Sequence, residues 1–484
     1  QPHRRLLHSI LDFDPKMSDG FLADERFELQ SHRQSKLYDV TAWNLSMAYG
    51  LEAFWADRVG GLNTTPFVRS STNETTYSGD EASYGYIIDG ADATIHRAIV
   101  RLFDAGCQPR VGSDFFVIAD RAYQPGAVLL RRHENPDDLP RILSTIAADT
   151  GVRIHATDTA LSTEGPDLGG QRFSLLQRPR VAIASQWPVS TTSFGDVWYA
   201  LDARLALRTS PINVQSLRTI DLRKYNVLVL PDVSSRATLG RVLDEKGVAN
   251  IKSWIQNGGT LIAMGQAAAF VADKDRGLSA VRLKRHVLDQ LSVYADSVER
   301  EYEARDIMID PAAVWGESAE VGRAPLRKTA EENEPDIEAL KRADARNRRF
   351  KPSGAIVAGT LDSDHWITFG LGDRLPLLVS GEFAYMSMHP VATPVRFRDR
   401  GRLRLSGLMW PEARERWADT AYVTVESVGK GQIILFANDP FFRGYFEGSL
   451  RLLLNAIVLG PGMGTAATLV GEDHTRFRSR PRVT

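Results

Sequence analysis

The stretch GGTLIAMGQAAAF, residues 258–270, reads as a turn, a short buried strand, a tight corner at Gly265 and the start of an Ala-rich helix. In several hydrolase folds this strand-turn-helix corner carries the nucleophile, on a G-x-C-x-G or G-x-S-x-G spacing. That spacing puts the reactive position at Ala267, and a methyl group cannot attack a carbonyl. The segment therefore predicts the architecture of such a fold without its chemistry.

On either side the same rhythm repeats. VAIAS (181–185) and YNVLVLPD (225–232) are apolar strands, SFGDVWYALDARLAL and VANIKSWIQNGG are amphipathic helices, and INVQSLRT reads as a further strand. Continuous apolar strands alternating with helices belong to parallel sheets covered on both faces. The expected class is α/β, with a doubly wound, mostly parallel, flavodoxin-like sheet over 176–295. It resumes over 351–462 with GAIVAGTL, YVTVESV, GQIILFAND and a closing helix FEGSLRLLLNAIVLG. Between the two halves, 296–350 is densely charged and reads as a solvated helical excursion or flexible insert. Residues 463–484 read as a frayed tail.

Upstream, 67–175 reads as a smaller α/β domain with the order β-α-β-β-α-β over 82–160. Asn135 before Pro136 is placed as a helix N-cap, and Gly106 and Gly151 as C-cap glycines. The polar run 67–82 reads as a linker. Residues 1–66 read as a helical segment, because FLADERFELQSH and LYDVTAWNLSMAYGLEAFW space their apolar residues by three and four, up to Gly60-Gly61.

The bulk composition narrows the function. A chain of 484 residues exceeds one ordinary core, so several domains are expected. With 43% hydrophobic and 25% charged residues it has a globular composition, and no apolar run reaches the roughly 20 residues a membrane span needs. Net charge is -1, which disfavours a nucleic-acid partner. Cys107 is the single cysteine, so an intrachain disulfide and a Cys-based zinc cluster are excluded. The opening QPHRRLLHSIL carries neither an initiator Met nor signal-peptide features, and a trimmed or partial chain is expected.

Catalytic motifs are scarce. Class I glutamine amidotransferases need a corner Cys and an oriented His on a later strand. The matching late segment GQIILFANDPFFRG offers Asn438 and Asp439 instead, so both halves of the dyad are missing together and the corner reads as packing. Among ten histidines no H-x-x-E or H-E-x-x-H occurs, and His155-x-x-Asp158 and His286-x-x-Asp289 lack a third ligand. His365 and His389 fall in turns, where a capping role outweighs a catalytic one. No phosphate-binding glycine motif is present.

The loop SQWPVSTTSFGD (185–196) is the exception. It follows the first strand of the doubly wound unit and enters a helix, where free N–H groups and the hydroxyls of Ser190, Thr191, Thr192 and Ser193 would hold a polar ligand or merely cap the helix. With Gln186, Asp232 and Gln266 these residues define an expected small-ligand crevice at the switch point of the sheet.

The order and spacing of YDVTAWNLSMAYGLEAFW, NPDDL, EGPDLGG with RPRVAIAS, YNVLVLPD, NGGTLIAMGQAAAFVA, DHWITFGL and GKGQIILFANDPFFRGYFEGSLRLLLNAIVLG resemble the carboxyl-terminal, amidotransferase-like half of large bacterial zinc carboxypeptidases of the carboxypeptidase A type. The resemblance implies an upstream peptidase domain in the same polypeptide, holding zinc through a His-x-x-Glu and a distant His, with this chain as its non-catalytic accessory region. It also implies a periplasmic or secreted location and peptide as the substrate presented. None of the zinc-ligand motifs occurs here, so no cofactor and no catalytic or metal-binding residue is assigned to this chain.

Overall fold

The computed structural model describes residues 3–56, 60–61, 65, 77, 79, 81–305 and 336–466. Most of the linker expected over 67–82, the centre of the charged insert and the tail beyond 466 lie outside the described residues.

The amino-terminal segment is less helical than its spacing predicts. Helices cover Arg4–Leu11 and Asp19–Ser31, but 38–55 contains only Leu45–Ala48. The residues before that turn lie against a strand edge: the Thr41 N–H donates to Ser353 O and Gly354 O at 3.0 and 3.1 Å, and Leu408 N–H donates to the Thr41 hydroxyl at 2.9 Å. Tertiary hydrogen bonds to the larger sheet thus replace the intrahelical ones, and the apolar spacing reflects contacts of an irregular chain.

The smaller α/β unit has strands β1 (Gly85–Ile88), β2 (Arg110–Gly112), β3 (Phe116–Ile118), β4 (Arg121–Tyr123), β5 (Val128–Arg131), β6 (Ile154–Thr157) and β7 (Phe173–Leu175). Its sheet runs β6-β1-β5-β2-β7, antiparallel throughout, with β3 and β4 forming a separate hairpin. Helices Ile95–Asp104 and Leu139–Thr150 follow β1 and β5. Gly106 and Gly151, at φ 77° and 75°, end them as expected. Asn135 does not cap: the second helix starts at Leu139 after Asp138, and the Asn135 amide instead bridges Gln108 N–H and Arg131 O at 2.8 and 2.7 Å.

The central sheet contains β8 (Val181–Ser185), β9 (Thr209–Asn213), β10 (Val227–Leu230), β11 (Thr260–Met264), β12 (Arg282–Leu283), β13 (Ser353–Leu361), β14 (Arg374–Ser380), β15 (Tyr385–Met386), β16 (Ala392–Phe397), β17 (Arg404–Ser406), β18 (Ala421–Val428) and β19 (Gly431–Phe436). Its main path is β14-β13-β16-β18-β19-β11-β10-β8-β9. From β19 to β9 every pairing is parallel, and from β14 to β19 every pairing is antiparallel. The protein is α/β, and its apolar strands β10, β11 and β19 are buried along their whole length in the parallel half. The strand expected over INVQSLRT stops at Asn213, whose side chain accepts from Gln215 N–H at 2.9 Å and starts a tight helical turn. Helix Thr191–Trp198 widens into a π-helical turn over Tyr199–Arg204.

The described parts of the charged insert are not simply solvated. Helices Leu291–Arg305 and Ile337–Asn347 flank its undescribed centre and carry buried or half-buried ion pairs. Asp344 meets Arg416 Nε at 2.9 Å with both side chains buried, and Glu301 meets the buried Arg396 at 2.6 Å. Helix Glu447–Val458 locks the two sheets together. His96 Nε2–H donates to Asn455 Oδ1 at 2.7 Å and Asn455 Nδ2 donates to Ile367 O and Phe369 O, while Arg451 donates to Phe369 O and Asp92 O. Burial drives the His96 pKa down to about 3, which keeps its imidazole neutral in this contact. Among the described residues no helix is long and apolar enough to cross a membrane.

Candidate functional site

The parallel strands deliver their carboxyl ends to one edge, and the corner of interest lies there. Strand β11 ends at Met264, the chain turns at Gly265 with φ 54°, and helix Gly265–Val271 begins at once. The sharp left-handed position is therefore Gly265, two residues before the Ala267 that motif spacing indicates. Ala267, Ala268 and Ala269 are fully buried within the helix.

Asp232, at the end of the neighbouring β10, closes this corner. Its Oδ1 accepts from Gln266 N–H at 2.7 Å and from Val233 N–H at 2.8 Å. A Cβ on Gly265 would lie 2.6 Å from that oxygen, so a nucleophile of any kind at the turn would collide with Asp232. The Tyr385 hydroxyl donates to Gly265 O at 2.7 Å and pins the turn from the antiparallel side. Only glycine satisfies both the positive φ and the close approach.

The next parallel strand, β19, contributes Asn438 and Asp439. Asp439 accepts from Phe441 N–H at 3.0 Å and from the Ser193 hydroxyl, whose oxygen in turn accepts from Asp232 N–H at 3.0 Å. Ser193 thus joins the ends of β10 and β19 from the first turn of helix Thr191–Trp198. Asn438 Oδ1 accepts from Ser380 N–H at 2.8 Å, and its Nδ2 is buried without a hydrogen-bond partner. Asp196, one turn along the same helix, accepts from Arg443 N–H at 2.9 Å.

These carboxyls are displaced in one direction. Burial pushes Asp439 up to about 6, partly offset by Phe441 N–H and Ser193, with nearby Asp232 raising it further. Burial and then the charge of Asp439 push Asp196 up to about 7. Burial also raises Asp232 against its two backbone N–H donors. In each case loss of water, which favours the neutral acid, outweighs the hydrogen bonds to the anion.

A cleft of about 420 Å³ opens beside this cluster. Its polar lining includes Asp232, Gln266, Asn438 and Asp439 from the parallel half, and Lys351, Ser380 and Glu382 from the antiparallel half, with Phe383 and Phe442 as apolar walls. Of the crevice residues expected from sequence, Asp232 and Gln266 come together in it. Gln186 does not line it: its Oε1 accepts from Asn213 Nδ2 at 2.9 Å. Ser190 caps its helix, accepting from Ser193 N–H at 3.4 Å and pairing with the Thr192 hydroxyl at 2.9 Å. Thr191 and Thr192 are exposed outside the cleft. Helix capping therefore accounts for the Ser190 hydroxyl and the Thr192 hydroxyl paired with it, while Ser193 turns inward.

Sequence reading took Asn438 and Asp439 only as a missing base, and it did not single out Asp196, Lys351, Ser380 or Glu382. The last three lie on loops and strand ends that reach the cleft only through antiparallel pairing. His365 is a turn cap, its Nδ1 accepting from Ile367 N–H at 3.2 Å, and burial lowers its pKa to about 4. Among the described residues no three His, Cys, Asp or Glu side chains converge to hold a metal.

No family model matches the chain, and no curated protein matches it. Solved structures with some likeness include a cytoplasmic protein from Salmonella typhimurium, 12% identical with TM-score 0.30, covering 58% of this chain and 99% of its own. A putative ThuA-like protein from Bacteroides uniformis is 11% identical with TM-score 0.30, covering 58% and 90%. A glutamine amidotransferase from Thermotoga maritima is 7% identical with TM-score 0.30, covering 58% and 98%. At these values the likeness carries no weight, and the α/β class rests on the strand pairings themselves.

Proposed function

We propose that this chain is a non-catalytic accessory region of a zinc carboxypeptidase-like polypeptide, built on a degenerate, class I glutamine amidotransferase-like scaffold. The carrying observation is the corner at Gly265, where Asp232 occupies the space that a nucleophile would need. The parallel strand order, β9-β8-β10-β11-β19, is that of a flavodoxin-like doubly wound sheet and supports the scaffold assignment. Its partner is the peptidase domain, which supplies zinc; the described residues of this chain offer no ligand set that fits the metal. The amino-terminal segment supports a packing role, with Leu51, Phe54 and Trp55 exposed to 64%, 82% and 56%. The test is to assay the chain alone for ammonia release from glutamine and for removal of carboxyl-terminal residues from peptides. Both should be absent. The double change Phe54→Ser with Trp55→Ser should weaken capture of a carboxypeptidase-type domain, and full activity of the lone chain would overturn the reading.

A second reading is a small-ligand binding module, favoured by the cleft of about 420 Å³ at the carboxyl edge of the parallel strands. That volume lies within the usual range of ligand pockets, and the edge is where open α/β sheets bind. Thermal-shift screening of small polar compounds tests it, and a stabilising compound unaffected by changes at Asp232 and Asp439 would place the site elsewhere.

A further inference from the structure

We infer that the cleft beside Asp232 and Asp439 takes a ligand bearing a primary ammonium group next to an oxygen acceptor, the chemistry shared by the amino end of a short peptide and by an amino sugar. The inference rests on the binding-module reading and names the ligand class for that cleft.

Charge balance is the first ground. Of the three carboxylates in the lining, Glu382 is offset by Arg285 at 3.9 Å, which leaves Asp232 and Asp439 beside the single ammonium of Lys351. The two carboxylates at the strand ends are hydrogen-bonded only to neutral donors. Asp232 accepts from two backbone N–H groups, and Asp439 accepts from one backbone N–H and one hydroxyl. Among the described residues neither has a lysine or arginine as hydrogen-bond or charge partner. Some other carboxylates are paired, Asp344 with Arg416 and Arg348 and Glu134 with Arg110 and Arg131, whereas the buried Glu25, away from any cleft described above, is held by the Ser35 hydroxyl and Lys36 N–H. Unpaired buried charge is costly, so carboxylates left without a cation at the rim of a cavity are matched by a cation that arrives with the ligand.

Asn438 is the second ground. Its Oδ1 is held by Ser380 N–H, which fixes the amide and leaves the buried Nδ2 without an acceptor at the cleft wall. A buried donor of this kind calls for an oxygen, and no described side chain supplies one. A ligand carrying only an ammonium would leave it unmet. One carrying an ammonium and, a few bonds away, a carbonyl or hydroxyl oxygen would satisfy Asp232, Asp439 and Asn438 together.

The raised pKa values add a consequence. A bound ammonium favours the ionised carboxyls, so binding near pH 6 releases protons, because Asp439 is half protonated there in the free protein.

The experiment is isothermal titration calorimetry of the full chain with four probes: alanine amide, glucosamine, and their neutral counterparts N-acetylalanine amide and N-acetylglucosamine. Titrations near pH 6 in buffers of different ionisation heat count protons. The inference expects an amine probe to bind with proton release and its acetylated counterpart to bind about tenfold more weakly or not at all. Which amine wins separates the peptide from the amino-sugar source. Asp232→Asn and Asp439→Asn keep the acceptor oxygen for the backbone N–H groups, and each should weaken amine binding by about tenfold while the protein stays folded by circular dichroism. Glu382→Gln at the rim provides a third variant less tied to the corner. Binding of the neutral probes with no preference for amines overturns the ammonium inference and leaves the binding module standing. Amine binding that survives all three variants, or no binding by any probe, overturns both.

Discussion

Asp439→Asn should make the protein more stable in mild alkali. The Asp439 pKa rises from an ordinary 3.8 to about 6 in the fold, chiefly through burial. A carboxyl with a raised folded pKa binds protons more readily when folded than when unfolded. Its contribution therefore favours the fold below the unfolded value and is lost as pH climbs through the folded one. For that shift, linkage gives a loss of about 1.4 kcal/mol between about pH 5 and about pH 8. Asp439 keeps part of its surface open to the cleft, so solvent screening reduces the expected loss to about 1 kcal/mol. Asp196 titrates in the same direction and is itself raised by the charge of Asp439, so the substitution relaxes both groups. Asparagine retains an oxygen for Phe441 N–H and carries no charge. Urea unfolding followed by tryptophan fluorescence, at about pH 5 and about pH 8, should show a smaller fall in stability for the variant than for the wild type, by about 1 kcal/mol. Parallel pH profiles would refute the reasoning, because they would mean that Asp439 ionises at the same pH in the folded and unfolded chains.

Gly265→Ala should lower stability by about 2 kcal/mol or more, since it adds both a positive-φ penalty and a Cβ that collides with Asp232; thermal unfolding checks it, and a change below about 0.5 kcal/mol would mean the corner can open. Gly265→Cys should be destabilised similarly and release no ammonia from glutamine. Arg416→Ala removes a partner from the buried Asp344, which keeps only Arg348, and should destabilise by about 3 kcal/mol in urea; an unchanged midpoint would show that the helix Ile337–Asn347 is not anchored there. Asn455→Leu strips His96 and Ile367 O of their buried partner and should lower stability by about 2 kcal/mol, measured by calorimetry.

The parallel half of the sheet was legible because its strands are short runs buried on both faces, and β8, β10, β11 and β19 carry that requirement in their own residues. The amino-terminal segment was misread because three- and four-residue apolar spacing arises in any chain that lies against a core, and only the hydrogen bonds of Thr41 reveal the edge pairing. The turn at Gly265 was legible, but motif spacing puts the reactive position two residues later, at Ala267, since the decisive facts are a dihedral angle at Gly265 and the approach of Asp232 from another strand. Half of the cleft was visible as residues at strand ends. The other half, Lys351, Ser380 and Glu382, is brought in by the pairing of β13 with β14 and has no local pattern to announce it.

The same carboxylates explain why the corner is closed and the cleft is open. Asp232 fills the nucleophile's space and binds the first N–H groups of the helix, so its charge has a structural use. Asp439 has a weaker structural claim: its hydrogen bonds to Phe441 N–H and Ser193 could be met by asparagine, and its ionisation opposes folding. A group that lowers stability at neutral pH, faces a cavity and lacks a cation among the described residues is the kind of local inconsistency that function explains better than packing does. If Asp439→Asn both gains stability in mild alkali and loses amine binding, the two effects share one cause, an anion held without its counterion until a ligand supplies it. A variant that gained stability and bound amines as before would separate them and leave Asp439 without a role in recognition.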